Sequence, residues 1–195
     1  MVHGYGADAK WFATLTEIDE VFAEKVRAGG CADCGGPLDR ADYERKPRGE
    51  LGEAMETYRR RRSFCCRREG CRHRATPPSV RFLGRKVYVA ALVVIASVVG
   101  RRQALVGRGA PREVQGVPVR TVRRWLDFWG IAFVLTSFWT EAKAFLASPV
   151  DETMLPGSLL ARFGGTTEAS ALTRMLRWIA PITTASVRAP IAMAV

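Results

Sequence analysis

Two short stretches decide how the N-terminal third of this sequence folds: Cys31-Ala32-Asp33-Cys34-Gly35-Gly36 and Phe64-Cys65-Cys66-Arg67-Arg68-Glu69-Gly70-Cys71-Arg72-His73. The chain between them is rich in glycine, proline and charge and could not close a hydrophobic core unaided. A Cys-x2-Cys pair, a spacer of 31 residues and a Cys-x4-Cys pair is the layout of a zinc ribbon. The spacing therefore predicts a Zn²⁺ ion bound by Cys31, Cys34, Cys66 and Cys71.

The second stretch offers three cysteines and one histidine for two ligand positions. Adjacent residues on a strand point to opposite faces, so Cys65 and Cys66 are not expected to bind the same ion. We favour Cys66, because the four residues before Cys71 can turn back as a tight loop. Cys65 is the substitute for Cys66, and His73 remains an alternative if Cys71 is not a ligand.

Three alternatives to zinc would also use these cysteines: an iron–sulfur cluster, thiol redox chemistry at the single Cys-x-x-Cys, or burial as small apolar side chains. Two spaced pairs favour a zinc site over all three. Four protein ligands leave no open coordination position for water, so the predicted site is structural rather than catalytic.

Positive charge is concentrated in the middle of the chain. The formal net charge is +11, yet residues 1–57 carry 7 basic and 12 acidic side chains, residues 58–124 carry 18 and 2, and residues 125–195 carry 5 and 5. A surface that merely keeps a protein soluble would scatter its charges. The block is therefore interpreted as a binding face for a polyanion.

Arginines surround the second cysteine group and are predicted to contact phosphates without choosing a base sequence. A solvated arginine-rich loop is the alternative. The predicted nucleic-acid-binding residues here are Arg59, Arg60, Arg61, Arg62, Arg67, Arg68, Arg72 and Arg74.

Residues 111–129 predict a helix-turn-helix: a short helix, a turn at Gly116 and a second helix from about Pro118. An ordinary helical hairpin is the alternative. The apolar residues recur at helical spacing and are expected to face the core. These are Val119, Val122, Leu126 and Trp129, with Trp125 alongside. The outward residues, predicted to reach DNA in the major groove, are Arg120, Thr121, Arg123 and Arg124.

The remaining patterns are mostly helical, which predicts an α+β protein with a zinc-ribbon β unit and a mainly α-helical part. A first helix is expected to open at Thr16 and Asp19, with Ile18, Val21, Phe22 and Val26 on its inner face and Gly29-Gly30 as its stop. Residues 87–99 are an apolar run of 13, too short for the roughly 20 that span a bilayer, and predict a buried helix rather than a strand.

After Gly130 a further helix is expected to continue to Pro149, with Ile131, Val134, Leu135, Phe138, Ala142 and Phe145 in its apolar pattern, and another to contain Leu172, Met175, Leu176 and Ile179. The resulting partition is an N-terminal helix (1–30), a zinc ribbon (31–78), a helix-turn-helix domain (79–130) and a C-terminal helical extension (131–195).

Four motifs follow one another: the Cys-x4-Cys pair at residues 66–71, the segment Thr-Pro-Pro-Ser-Val-Arg-Phe, the apolar helix and the segment Val-Pro-Val-Arg-Thr-Val-Arg-Arg-Trp. Their order resembles the N-terminal region of bacterial insertion-sequence transposases. The resemblance spans residues 31–129 and implies a zinc ribbon and a helix-turn-helix that bind transposon ends. It implies Cys31, Cys34, Cys66 and Cys71 as ligands and residues 120–124 as the DNA-reading helix.

The sequence departs from that family after Trp129, because 66 residues are too few and too helical to hold the three-carboxylate catalytic domain. The acids there form no recognisable constellation, and neither His3 nor His73 lies in a nucleophile motif. We therefore expect the binding part without the catalyst, and no enzyme.

The predicted function is DNA binding, with RNA as the alternative polynucleotide, by a transposon-associated accessory factor or small regulator. The alternative is a protein-interaction or assembly subunit whose C-terminal apolar helices dock a partner while zinc is only scaffolding. The start of the chain lacks the pattern of a secretory signal, and paired cysteines suit a reducing compartment, so a cytoplasmic protein with no membrane partner is expected.

Overall fold

A computed structural model describes residues 9–48, 58–84, 86–106 and 113–184 of the chain. It confirms the α+β class. The α-helices are α1 (Ala9–Gly29), α2 (Ala90–Val106), α3 (Val119–Asp127), α4 (Ser137–Ala142), α5 (Gly157–Leu160) and α6 (Glu168–Ile179). The strands are β1 (Leu38–Arg40), β2 (Tyr43–Glu44), β3 (Arg60–Arg61), β4 (Phe64–Cys66), β5 (Arg74–Ala75), β6 (Glu113–Val114) and β7 (Val117–Pro118). A π-helical turn, Phe128–Phe133, continues α3, and short 3₁₀ turns are Lys143–Phe145, Glu152–Met154 and Ala180–Thr183.

Helix α1 is longer than the sequence pattern predicted. Thr16 and Asp19 lie in its middle, so the predicted start there is wrong, whereas the glycine stop is confirmed by Gly30 at φ 71°. Ile18 and Phe22 pack inward as expected, but Val21 is 51% exposed. Asp19 takes a position on the buried face instead.

The ribbon consists of two small antiparallel sheets. Strand β4 lies between β1 and β5, with Leu38 opposite Cys66 and Phe64 opposite Ala75. Strands β2 and β3 form the second sheet. The ribbon has a small apolar cluster, to which α1 contributes Ala23. The other buried members are Cys31, Leu38, Phe64 and Cys66. This cluster is too small to stabilise the ribbon alone.

The main core surrounds α2, and the prediction that residues 87–99 form a buried helix is confirmed for the part that lies in α2. Its side chains are buried on every side from Ala90 to Val98. Helix α3 crosses α2 so closely that a Cβ added to Gly100 would lie 2.6 Å from Cγ1 of Val122. No helix in the described ranges is both long and apolar enough to cross a bilayer.

The predicted short helix before Gly116 is wrong where the structure describes it, because β6 and β7 form a hairpin there; residues 111 and 112 lie outside the described residues. Val114 pairs with Val117 across a two-residue turn. Gln115 and Gly116 in that turn both have positive φ, 54° and 72°, as a type I′ hairpin turn requires. The helices that pack together are therefore α2 and α3, with the hairpin between them.

The continuous helix predicted after Gly130 is also wrong. A π-helical turn and a short break precede α4, and the apolar positions consequently change face: Phe138 and Ala142 are buried, whereas Ile131 and Leu135 are exposed. The next prediction is confirmed, since α6 buries Leu172, Met175, Leu176 and Ile179. Side chains before and after residue 130 belong to one core.

A buried ion pair joins α1 to the segment between the ribbon and α2. Nε of Arg81 donates to Oδ2 of Asp19 at 2.8 Å, and both residues are about 1% exposed. The same carboxylate accepts from the Ser79 hydroxyl and the Val80 N–H, and Arg81 also donates to the carbonyl of Arg60 on β3. Both charged groups of this pair thereby find several partners, which a buried charge pair needs to be tolerated.

Candidate metal centre and nucleic-acid interface

Four cysteine sulfurs converge at one end of the ribbon. The Sγ atoms of Cys31, Cys34, Cys66 and Cys71 all lie within 4.8 Å of one another, and no other His, Cys, Asp or Glu cluster in the described residues has this geometry. Cys31 and Cys71 are separated by 3.7 Å between sulfurs, and Cys34 and Cys66 by 3.5 Å. The four sulfurs are those that the spacing predicted.

Local backbone turns create this convergence. Gly35 has φ 68°, and its N–H donates to the carbonyl of Cys31, closing the first knuckle directly after α1. Gly36 passes so near the site that an added Cβ would lie 3.2 Å from the sulfurs of both Cys34 and Cys66. A larger residue at Gly36 would therefore crowd the sulfurs.

Backbone N–H groups point at three of the sulfurs. The N–H of Gly36 donates to Cys34, and this hydrogen bond lowers the pKa of the Cys34 thiol to about 7. The N–H groups of Arg68 and His73 reach the sulfurs of Cys66 and Cys71 in the same way, each from two residues further along the chain. Burial opposes this at Cys66 and raises the pKa of its thiol. At Cys71 the N–H of His73 lowers the pKa of the thiol, but the neighbouring Cys34 thiol and burial outweigh it and raise that pKa to about 12. N–H donors of this kind favour the thiolate form that binds metal.

The two alternative ligands lie outside the cluster. Cys65 points to the other face of β4, where its sulfur lies 3.5 Å from the carbonyl oxygen of Arg72. Nδ1 of His73 lies 2.6 Å from Oδ2 of Asp33. The structure thus selects Cys66 and Cys71 over Cys65 and His73.

The size of the cluster suits one tetrahedral ion. Metal–sulfur bonds of about 2.3 Å place tetrahedral ligands about 3.8 Å apart. The sulfur separations of 3.7 and 3.5 Å within the two closest pairs are near this value. A multi-iron cluster needs its cysteine sulfurs farther apart, because several irons stand between them.

Two of the predicted phosphate-binding arginines are structural. Arg61 is 2% exposed and donates to the carbonyl of Pro77, so it cannot reach a phosphate. Arg62 contacts Glu20 and donates to Asp42 at 2.6 Å, with only 18% of its side chain exposed. The prediction fails at both positions because the end of β3 turns their side chains toward the rest of the protein.

The other six predicted arginines of the ribbon are exposed, although three have partners within the chain, among them Arg60, whose Nε lies 3.7 Å from Oδ2 of Asp42. Arg67 forms an ion pair with Asp39 that holds the pKa of that carboxyl below its usual range, and Arg68 donates to the carbonyl of Cys34. Arg59, Arg60, Arg72 and Arg74 complete the exposed group. Six of the eight predicted residues are therefore on the surface.

Helix α3 has the predicted division between an inner and an outer face. Val122, Trp125 and the following Trp129 are buried, and Val119 and Leu126 pack partly against the same core. Arg120, Arg123 and Arg124 are exposed and Thr121 is half-buried. None of the three arginines forms an ion pair with a residue that the structure describes, although Asp127 is exposed at the end of the helix.

The sequence pattern did not reveal the internal use of basic residues. Arg81 belongs to the basic block but is buried against Asp19, and Lys86 is partly buried with its Nζ 3.5 Å above the ring centre of Phe128. Burial lowers the pKa of Lys86. The only available signal was Asp19 itself, an acid at an apolar-face position of α1.

No protein-family model, curated protein or solved structure matches this chain.

Proposed function

We propose that this protein binds DNA through helix α3 and the exposed arginines of a zinc-stabilised ribbon. In this proposal it is a transposon-associated accessory factor or a small regulator. The transposase resemblance of residues 31–129 contributes the biological setting, and the chemistry of the surface contributes the DNA.

Zinc is the ion that best suits the metal centre. Four thiolates in a tetrahedral arrangement are typical of structural Zn²⁺ sites, and no ligand position remains for a substrate or a catalytic water. The ion would take the place of the hydrophobic core that the ribbon lacks. Its function is then to hold β1, β4 and the exposed arginines around them in fixed positions.

One observation carries the DNA proposal: α3 has three exposed arginines with no ion-pair partner in the described residues, while its opposite face is packed in the core. Arginines that stabilise a fold are normally paired, as Arg62 and Arg81 are here. Unpaired guanidinium groups on a rigid helix suit phosphates and the O6 and N7 atoms of guanine in a major groove.

The test is a titration of labelled duplex DNA at two salt concentrations with wild-type protein and with the double variant Arg120→Ala, Arg123→Ala. We expect binding that weakens steeply with salt, and an affinity about tenfold or more lower in the variant, with a smaller salt slope. The matched control is Arg174→Ala, Arg177→Ala, which removes two exposed arginines from α6, outside the proposed surface.

Equal losses of duplex affinity in the two double variants would show that only net charge matters. If neither the variants nor the wild-type protein binds the duplex, the proposal is overturned. A single-stranded RNA of the same length, included in the titration, decides between the two polynucleotides. Tighter binding to the RNA would move the assignment away from duplex DNA.

A protein-docking function is a second candidate, favoured by exposed apolar side chains that follow α3. Ile131 is 61% exposed, Leu135 78% and Phe145 87%. The apolar face of α6 is covered by the protein's own core, so this part of the alternative receives no support. Duplex binding that is absent or insensitive to salt would make docking the preferred function.

A further inference from the structure

Helix α2 contributes to the same surface as α3 through a residue that the helix-turn-helix pattern did not include. The two helices touch at Gly100 and Val122. Arg101 follows Gly100 directly and therefore leaves α2 at the side of this crossing, since consecutive helical residues are about 100° apart.

The side chain of Arg101 extends along α3. Its Nη2 atom lies 3.8 Å from the position that a Cβ would occupy on Gly130, just beyond the end of α3. Gly130 belongs to the π-helical turn, Phe128–Phe133, that continues α3. The guanidinium of Arg101 thus lies beside the C-terminal end of the helix that carries Arg120, Arg123 and Arg124.

The guanidinium of Arg101 is only partly satisfied by the described residues. The residue is half-buried, and its Nε atom is buried with no hydrogen-bond partner in the described part of the chain. No described carboxylate forms an ion pair with it either. A partly desolvated guanidinium without an acid is costly, and an anion supplied from outside would offset that cost.

We propose that Arg101 binds a backbone phosphate of duplex DNA, beside the segment that α3 contacts. The inference rests on the proposed DNA-binding function and adds a positioning contact from α2. Arg101 fixes α3 on the duplex by holding one phosphate, while the α3 arginines contact base edges. The phosphate would bind the terminal Nη atoms of Arg101, because Nε is buried and out of its reach.

The matched control is the neighbouring Arg102. It is exposed, and it lies about 200° around α2 from Gly100, on the side away from α3. The variants Arg101→Met and Arg102→Met remove the same charge one residue apart and keep most of the aliphatic stem. Arg101→Lys retains the charge but loses the planar fork of donors.

Duplex affinity is measured for each variant across a salt series, with thermal melting as the check on folding. We expect Arg101→Met to lower affinity about fivefold or more and to reduce the salt slope by about one, whatever the DNA sequence. Arg101→Lys should keep the slope and lose part of the affinity. Arg102→Met should change neither beyond a small effect of net charge.

Two results would overturn the inference while leaving the proposed function intact: Arg101→Met binding as wild type does, or Arg101→Met and Arg102→Met losing affinity equally. Either result counts against the inference only if the double variant Arg120→Ala, Arg123→Ala has weakened duplex binding. If wild-type protein does not bind duplex DNA at all, both proposals fail together. If Arg101→Met melts at a lower temperature than wild type, the affinity of Arg101→Lys is the deciding measurement. A wild-type affinity in Arg101→Lys would exclude a contact that depends on the planar guanidinium.

Discussion

Single side chains in the ribbon have functions that depend on which face of a strand they occupy. Cys65 and Cys66 are neighbours with the same chemistry, yet only Cys66 points at the other three sulfurs. Arg61 and Arg60 differ in the same way, since the first is buried and the second is 67% exposed. Alternation along a strand therefore separates the cysteine that joins the cluster from its neighbour, and the buried arginine from the exposed one.

The adjacent cysteines provide a test at this scale. We expect Cys66→Ser to lose the metal and with it the ordered ribbon, because three thiolates and a weak hydroxyl ligand do not hold a tetrahedral Zn²⁺ site. Cys65→Ser should retain one equivalent of zinc. Metal content is measured by elemental analysis of the purified proteins. A full equivalent of metal in Cys66→Ser, or its loss in Cys65→Ser, would contradict the ligand assignment.

At the scale of elements, the packing of α2 against α3 positions the proposed DNA surface. Gly100 allows the two helices to approach, and the hairpin of β6 and β7 returns the chain so that α3 can lie across α2. The arginines on α3 point outward because Val122 and Trp125 are fixed against α2 and its neighbours. The predicted turn at Gly116 is present, within the hairpin, and the helix crossing sets the orientation of the surface.

This crossing predicts the effect of one added methyl group. Gly100→Ala should destabilise the protein, because overpacking costs about 1–3 kcal/mol and the helix propensity of alanine restores at most about 1 kcal/mol. Chemical denaturation measures the free energy of unfolding. The control Gly29→Ala, at the end of α1 with no atom near its added Cβ, should be neutral or stabilising.

The partner of the crossing supplies the decisive comparison. In Gly100→Ala, Val122→Ala the contact at 2.6 Å disappears, so the double variant should be less destabilised than the sum of the single variants. Additive effects would show that Gly100 and Val122 do not limit the approach of the helices.

At the scale of the whole molecule, the described residues form two apolar clusters of very different size. The larger one joins α1, α2, α3 and α6, and the smaller one lies in the ribbon beside the cysteines. Helix α1 belongs to both, because Trp11 and Leu15 pack in the first and Ala23 in the second. A metal ion held by the four cysteines would therefore stabilise a part of the molecule that the main core does not reach.

Chelation should separate these two parts. On removal of metal from the full chain we expect amide hydrogen exchange to accelerate in β1, β4 and β5, and protection to persist in α2 and α6, whose core contains no cysteine. Mass spectrometry of exchanged peptides gives both readings at once. Loss of protection throughout the chain would show instead that the metal holds the whole fold together.

The sequence by itself determined which four cysteines converge as a possible metal site, the buried helix α2, and the inner and outer faces of α3 and α6. Each of these is a local pattern: a ligand spacing, an unbroken apolar run or a helical period. The α+β class followed from their combination. The choice of Cys66 over Cys65 needed only the alternation of side chains along a strand.

Tertiary structure alone decided which charges are internal and where helices break. In the sequence, Arg61, Arg62 and Arg81 look like the exposed arginines. In the fold they are structural: Arg62 and Arg81 pair with acids from distant segments, and Arg61 is buried against the carbonyl of Pro77. The π-helical turn after α3 likewise lies where Trp129 and Phe133 pack together in the aromatic core. Contacts between segments far apart in the chain fix these features, and no local pattern encodes such contacts.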